Sequence, residues 1–326
     1  MNPSDRRFAR FAWGVLVYTL LVILWGAFVR ASGSGAGCGE HWPDCHDQLL
    51  PSNPTAATLI EFGHRLMSGL LGLLVLWLVI WAYRTYPEGA GVRAPAALTG
   101  VFTITEALIG AGLVLFQYVA FNVSVARAYW MVAHLINTFF LLGALGVLVH
   151  RASAQSGLLP PEWLPAFRDG TRRAVAFALG SLIVLGASGA VTALTDTLVL
   201  SGGISPLQDR IVGVLVGLRF FHPLLAFLLG TAVVAACVMV RMDAPETRAA
   251  RLAAWVVGLL SAQMAVGGLN VVLGAPIWLQ LLHLLVTDLI WMGMVVLADL
   301  TREIEVGEAT SYPTYEDQAP PQAIAK

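Results

Sequence analysis

Charge is what this chain has least of. Asp, Glu, Lys and Arg make up 12% of its 326 residues, against 57% hydrophobic. Soluble domains carry about 25% charged residues, so a water-soluble globular protein is excluded. No basic cluster with interleaved aromatics occurs, which excludes nucleic-acid binding. Cysteine is scarce too, at three residues. No C-x-x-C-H haem-attachment motif and no standard zinc-finger spacing occurs.

What is present is long apolar runs. About 20 such residues span a bilayer as a helix. Eight runs qualify, at roughly 11–30, 57–82, 95–118, 128–150, 172–194, 211–240, 250–273 and 277–298. The expected fold class is an all-α polytopic membrane protein in the lipid bilayer. Arg6, Arg7 and Arg10 precede the first run, as in a signal peptide. That run is too long for an apolar signal region and ends on a poor cleavage site, Trp25 to Arg30, so it reads as a span. With the N-terminus inside, 14 of 19 Lys and Arg face the cytoplasm. The positive-inside rule then places both termini there. Arg30, Arg127 and Arg210 fall outside or at the outer border, and Arg65 and Arg219 lie within spans. The tail 303–326 is polar and proline-bearing, and reads as disordered and without chemistry.

The chain divides into two four-helix halves, 1–150 and 172–302, joined by a linker, 151–171, with Pro160, Pro161 and Pro165. The halves echo each other. Trp25-Gly26-Ala27 near the end of the first span resembles Ser188-Gly189-Ala190 in the fifth. Glu106 to Gly112 in the third resembles Gln263 to Gly268 in the seventh. Glu61-Phe-Gly-His64 in the second matches Arg219-Phe-Phe-His222 in the sixth, and His134 in the fourth matches His283 in the eighth. An even number of spans per half makes them parallel repeats, expected as two four-helix bundles about a pseudo-twofold axis along the membrane normal. Close glycine-mediated packing alone explains the glycines but not the histidines.

The four histidines lie roughly 9–16 Å below the outer ends of spans running in the same direction. Two imidazoles at equal depth on parallel helices hold one iron from opposite faces of a porphyrin, so the pairs read as axial ligands for two haems. Hydrogen-bonded core histidines, a zinc or copper site and a proton path are the competing readings. The halves differ in charge. Glu61 lies one turn outward of His64, where a carboxylate can take up a proton or balance a cation. Arg219 holds the matching position before His222, where it can pair with a haem propionate. The first half therefore reads as a reaction site and the second as an electron-transfer or structural site. A Glu61–Arg65 salt bridge and a snorkelling Arg219 are the bland alternatives.

The first outer loop carries Cys38-Gly-Glu-His-Trp-Pro-Asp-Cys45. On the oxidising side a disulfide is expected. Zinc held by Cys38, His41, Cys45 and His46, or a covalent haem link at Cys45-His46, are the alternatives. Cys237 reads as a buried, inert thiol.

These elements resemble the haem A synthase family, in its bacterial branch with an outer cysteine pair. The resemblance runs to about residue 303; Glu61-Phe-Gly-His64-Arg65 and the C-x₆-C loop are its most specific parts. It implies a bacterial cytoplasmic-membrane oxidoreductase that turns a ring methyl of haem O into the formyl group of haem A. Haem O synthase and the terminal oxidase assembly are the implied partners. It further implies that His64 and His134 face the substrate haem, that His222 and His283 ligate a resident haem b, and that Glu61 is catalytic. Cys38 and Cys45 would form a disulfide that accepts or relays electrons. The sequence itself points to no electron acceptor. A di-haem b-type electron carrier and a small-molecule transporter are the alternatives; the carrier leaves the Glu61/Arg219 asymmetry unexplained. The transporter calls for a broken helix, for which Pro223 is the candidate.

Overall fold

The computed structural model describes residues 3–159 and 166–302. The linker prolines and the tail from residue 303, expected to be disordered, lie outside the described residues. The described residues are helical throughout, apart from turns and one isolated bridge between Cys45 and Gln48. The helices are α1 (Pro3–Ala31), α2 (Ala56–Thr85), α3 (Arg93–Leu115), α4 (Val125–Gln155), α5 (Asp169–Asp196), α6 (Arg210–Arg219), α7 (Phe221–Asp243), α8 (Arg248–Val272) and α9 (Ile277–Thr301). A π-helical turn, Thr197–Ser201, extends α5.

Eight of the resulting segments are long and apolar enough to cross a membrane, with α6 and α7 forming one between them. Their apolar residues run round the whole circumference. Leu73, Trp77, Phe227 and Trp255 are exposed on the outside, as suits lipid-facing surface. Polar caps stop the helices where the chain meets water. Thr55, Ser124, Asp209 and Thr247 accept the first free N–H groups of α2, α4, α6 and α8.

The sixth span departs from the uninterrupted helix expected over 211–240. It breaks at Phe220 between α6 and α7. Pro223 supplies no N–H, and its ring crowds the carbonyl four residues back, at Arg219, where α6 ends. At the helix ends, Arg127 is buried at 2% exposure, and Arg30 turns inward onto α5 and α9.

α4 and α9 form the seam between the halves. α4 packs on α1 and α3 on one side and on α5 and α9 on the other. Gly143 and Gly146 flatten α4 where Trp291, Met292 and Val295 of α9 press against it, the close approach small residues permit inside a bilayer. Phe139 and Trp291 stack across the seam, ring centres 4.8 Å apart and planes 14° from parallel. The indole Nε1–H donates to the Phe139 carbonyl, since a buried indole needs a partner. Nearer the expected cytoplasmic side, Arg151 Nε donates to Asp299 at 3.0 Å.

Trp291 is therefore a principal tie between the halves. Trp291→Ala is expected to destabilise the protein by about 3–5 kcal/mol. Trp291→Phe, which keeps the stack and loses the hydrogen bond, should cost about 1 kcal/mol. Thermal unfolding in detergent checks both; wild-type melting of the alanine variant would refute this role.

Candidate functional site

The loop between α1 and α2 is the first part of the site. Cys38 and Cys45 are joined in a disulfide and fully buried, as expected. With both sulfurs in that bond, neither zinc through them nor covalent haem attachment is available. Gly37 lies so close to α2 that a Cβ there would overlap the Ala57 carbonyl. This contact brings the next residue onto the helix: the Cys38 N–H donates to Glu61 Oε2 at 2.9 Å. Glu61 Oε1 pairs with Arg65 one turn on. Arg65 Nη1 reaches back to the carbonyls of His41, at 2.6 Å, and Asp44. The Glu61–Arg65 bridge considered from the sequence therefore exists, but as half of a clamp. Among the described residues, Glu61 bonds the disulfide loop and Arg65, and none of its bonds goes to His64.

The histidines are seated by glycines. A Cβ on Gly26 of α1 would stand 2.9 Å from His64 Cε1. Gly189 of α5 stands in the same relation to His222 and Gly267 of α8 to His283, each at 3.2 Å. Gly26 and Gly189 are matched positions of the repeat, so the glycines there are the floor on which imidazoles lie.

The other matched pair, Glu106 and Gln263, also recurs in space. Glu106 Oε1 of α3 lies 3.0 Å from His134 Nδ1, and its carboxylate accepts from Thr138, four residues beyond that histidine. Gln263 Nε2 of α8 donates to the His283 carbonyl at 3.0 Å and to Thr287, again four residues beyond. The first half thus places a carboxylate beside its ligand candidate where the second places an amide. Sequence reasoning used Glu106 only as a repeat marker. An ionisable group inside an apolar run was signal enough to suspect it.

In the second half His222 Nδ1 lies 2.8 Å from Ser188 Oγ. The His222 and His283 rings approach to 6.4 Å between centres, 73° from parallel. Metal–imidazole bonds are about 2 Å, so two rings aimed nitrogen-first at one ion stand roughly 6 Å apart. The spacing of the second pair is of that size. His64 interacts through space with His134 and Glu106. His222 Nδ1 is engaged by Ser188, and His134 Nδ1 lies against the Glu106 carboxylate without a well-formed hydrogen bond. A partner on Nδ1 leaves Nε2 as the atom open to a metal. Arg219 does not snorkel: its Nη1 pairs with buried Asp196 of α5 at 3.0 Å, a partner the sequence reading missed. Cys237 is buried against Met294, as expected of an inert thiol.

Fold and site define a polytopic helical membrane protein with four histidines within its spans and a disulfide-bonded loop clamped to the second of them. Residues 9–295 match the model of the COX15-CtaA family, described as cytochrome oxidase assembly proteins, and the chain belongs to that family. It is 44% identical over 318 residues to a protein of Thermus thermophilus named Protoheme IX farnesyltransferase, covering 94% of this chain and 51% of that one. The chain thus spans about half the length of that relative. It is 38% identical over 112 residues to Heme A synthase of an Exiguobacterium species, covering 34% of this chain and 37% of that protein. It is 42% identical over 97 residues to Heme A synthase of Halalkalibacterium halodurans, covering 30% and 33%.

Two measurements check the clamp. Thiol labelling of denatured protein should reach Cys237 alone before reduction and all three cysteines after it; labelling of three without reductant refutes the bridge. Gly37→Ala should push the loop off α2 and lower the melting temperature by several degrees, as expected for about 1–3 kcal/mol of strain. An unchanged melting temperature would show that the close approach carries no weight.

Proposed function

We propose that the chain converts haem O to haem A at the site bounded by α2 and α4, oxidising one ring methyl to a formyl group with oxygen from water, four protons and four electrons leaving, the electrons passing to an acceptor outside the chain. The observation that carries this reading is the difference between two similarly built halves. The first places two carboxylates, Glu61 and Glu106, near His64 and His134. The second places an amide and a hydroxyl at its histidines and neutralises Arg219 with Asp196. Similarity to proteins named Heme A synthase supports it, as does membership of a cytochrome oxidase assembly family.

In this reading His64 and His134 hold the substrate haem, and His222 and His283 hold a resident haem b, which supplies one-electron chemistry when bound. Glu61 takes up protons or balances positive charge at the reacting edge. Glu106 fixes the His134 ring through Nδ1. The Cys38–Cys45 disulfide, linked to Glu61 through the Cys38 N–H, accepts or relays electrons. The domain assignment follows: 1–150 for substrate, 172–302 for the resident haem. The arginine bias supports a cytoplasmic position for both termini in a bacterial inner membrane. Haem O synthase and the terminal oxidase are the neighbours this chemistry requires.

The name of the Thermus relatives raises a second reading, farnesyl transfer to protohaem. Prenyl-diphosphate chemistry needs a divalent cation on clustered carboxylates. Among the described residues the one group of three metal-competent side chains is His41, Asp44 and Asp47, in the outer loop beside the disulfide. The match covers only half of those relatives, and farnesyl transfer makes the very substrate proposed here.

Supplied with haem O, cells expressing the chain should yield haem A by mass. Glu61→Gln should retain the resident haem spectrum and lose formyl formation, by about 100-fold or more. His222→Ala or His283→Ala should remove most b-type absorbance. Near wild-type conversion by Glu61→Gln, or full absorbance in both histidine variants, would sink these roles. Farnesylation of protohaem by the chain alone would establish the second reading.

A further inference from the structure

Arg127 is the cation that the proposed mechanism leaves without a task. It lies at the outer end of α4, seven residues before His134. Seven residues are two helical turns, so Arg127 and His134 share a face about 10 Å apart along the axis. It is only 2% exposed. Its Nη1 donates to the Asn122 carbonyl at 3.0 Å, while Nε finds no partner among the described residues.

The charge that bears on Arg127 is that of another cation, Arg30 of α1. Arg30 directs its own donors to neutral acceptors: the Ala193 carbonyl and Thr197 hydroxyl at 2.6 Å each, and Gln280 Oε1 at 3.0 Å. The carboxylate of this region, Asp196, is paired with Arg219 and also faces Arg30. Two arginines, Arg219 and Arg30, thus draw on Asp196, and no carboxylate among the described residues pairs with Arg127. Buried guanidinium groups call for anions, and a planar fork with a free N–H suits a carboxylate.

We infer that Arg127 recognises an ionised propionate of the tetrapyrrole held between His64 and His134, with Arg30 contributing field from the neighbouring helix. The assignment rests on the proposed function, because it takes a haem in the first half as given. It makes Arg127 a positioning residue. An anchored propionate at the outer end sets which edge of the macrocycle is presented to Glu61. The second half has its nearest cation, Arg219, already neutralised, so carboxylate recognition of this kind belongs to the first half.

The test compares a ligand with and without its charges. Full-length protein carrying its resident haem is titrated in detergent with ferric haem O and with ferric haem O dimethyl ester, following the Soret difference spectrum. Wild type should bind the diacid roughly ten- to a hundredfold more tightly than the ester. Arg127→Gln should bind both as weakly as wild type binds the ester, and Arg127→Lys should restore part of the preference. A purely structural role would weaken both ligands alike and leave their ratio unchanged.

Equal binding of acid and ester by wild type overturns the assignment, and is the result expected if a lipid phosphate occupies this position. So does an Arg127→Gln variant with the wild-type preference. Should that variant fail to retain the resident haem, the wild-type comparison and Arg127→Lys decide. Haem O binding that survives His64→Ala undiminished overturns the proposed site itself, and this assignment with it. His64-dependent binding with no role for Arg127 overturns this assignment alone.

Discussion

A charge taken into hydrocarbon must be met by the protein itself, and this requirement organises the molecule. Arg65 is the clearest case. It lies within α2 and cannot reach bulk water without leaving Glu61, so it is met by Glu61 and by two loop carbonyls. Meeting it pins the loop to the helix, and the loop in turn delivers the Cys38 N–H to the other oxygen of Glu61. One arginine thereby connects a disulfide on the outer side to the helix that bears His64. Removing either member of the ion pair strands the other, which is why such pairs are costly to break.

The same requirement places several other charged groups, though not Asp288 of α9, which is fully buried with neither oxygen hydrogen-bonded among the described residues. Glu106 faces His134, Asp196 faces Arg219, and Asp299 faces Arg151. These contacts join helices that the apolar pattern alone would leave free to rotate, since lipid and leucine solvate each other equally well. Packing then fixes distance. Glycines let α1, α5 and α8 approach imidazoles. The Phe139–Trp291 stack locks α4 to α9, so the helices bearing His134 and His283 are held in one register.

Spans, histidines and the cysteine pair were legible in the sequence because each depends on local composition or on compartment. The eight runs needed only length and hydropathy, and the disulfide needed only an oxidising side and a short loop. The partners were not legible. Nothing near His134 in sequence announces Glu106, which comes from the preceding helix 28 residues away in the chain. That Arg127 is buried was not legible, because hydropathy sees a helix end and not the helices around it. The break at Phe220 was within reach, because Pro223 is the rule-breaking residue; its effect falls four positions back, on the turn that separates Arg219 from His222.

The internal repeat gives the most direct argument about division of labour. Where the halves match, they match in scaffold: glycine under the imidazoles of His64 and His222, and a polar side chain on the preceding helix at the threonine four residues past His134 and His283. Where they differ, they differ in charge. Glu61 stands against Arg219, and Glu106 against Gln263. On the proposed reading the second half holds its haem with neutral groups, and Arg219 is cancelled by Asp196. Its iron is then spared a net local charge that would favour one oxidation state. The first half keeps two carboxylates among its histidines, Glu61 paired with Arg65 and Glu106 beside His134. On the proposed reading, a negative group held against His134 favours positive charge developing during oxidation of the ring methyl, and the second half, with the Gln263 amide at the matching place, lacks it.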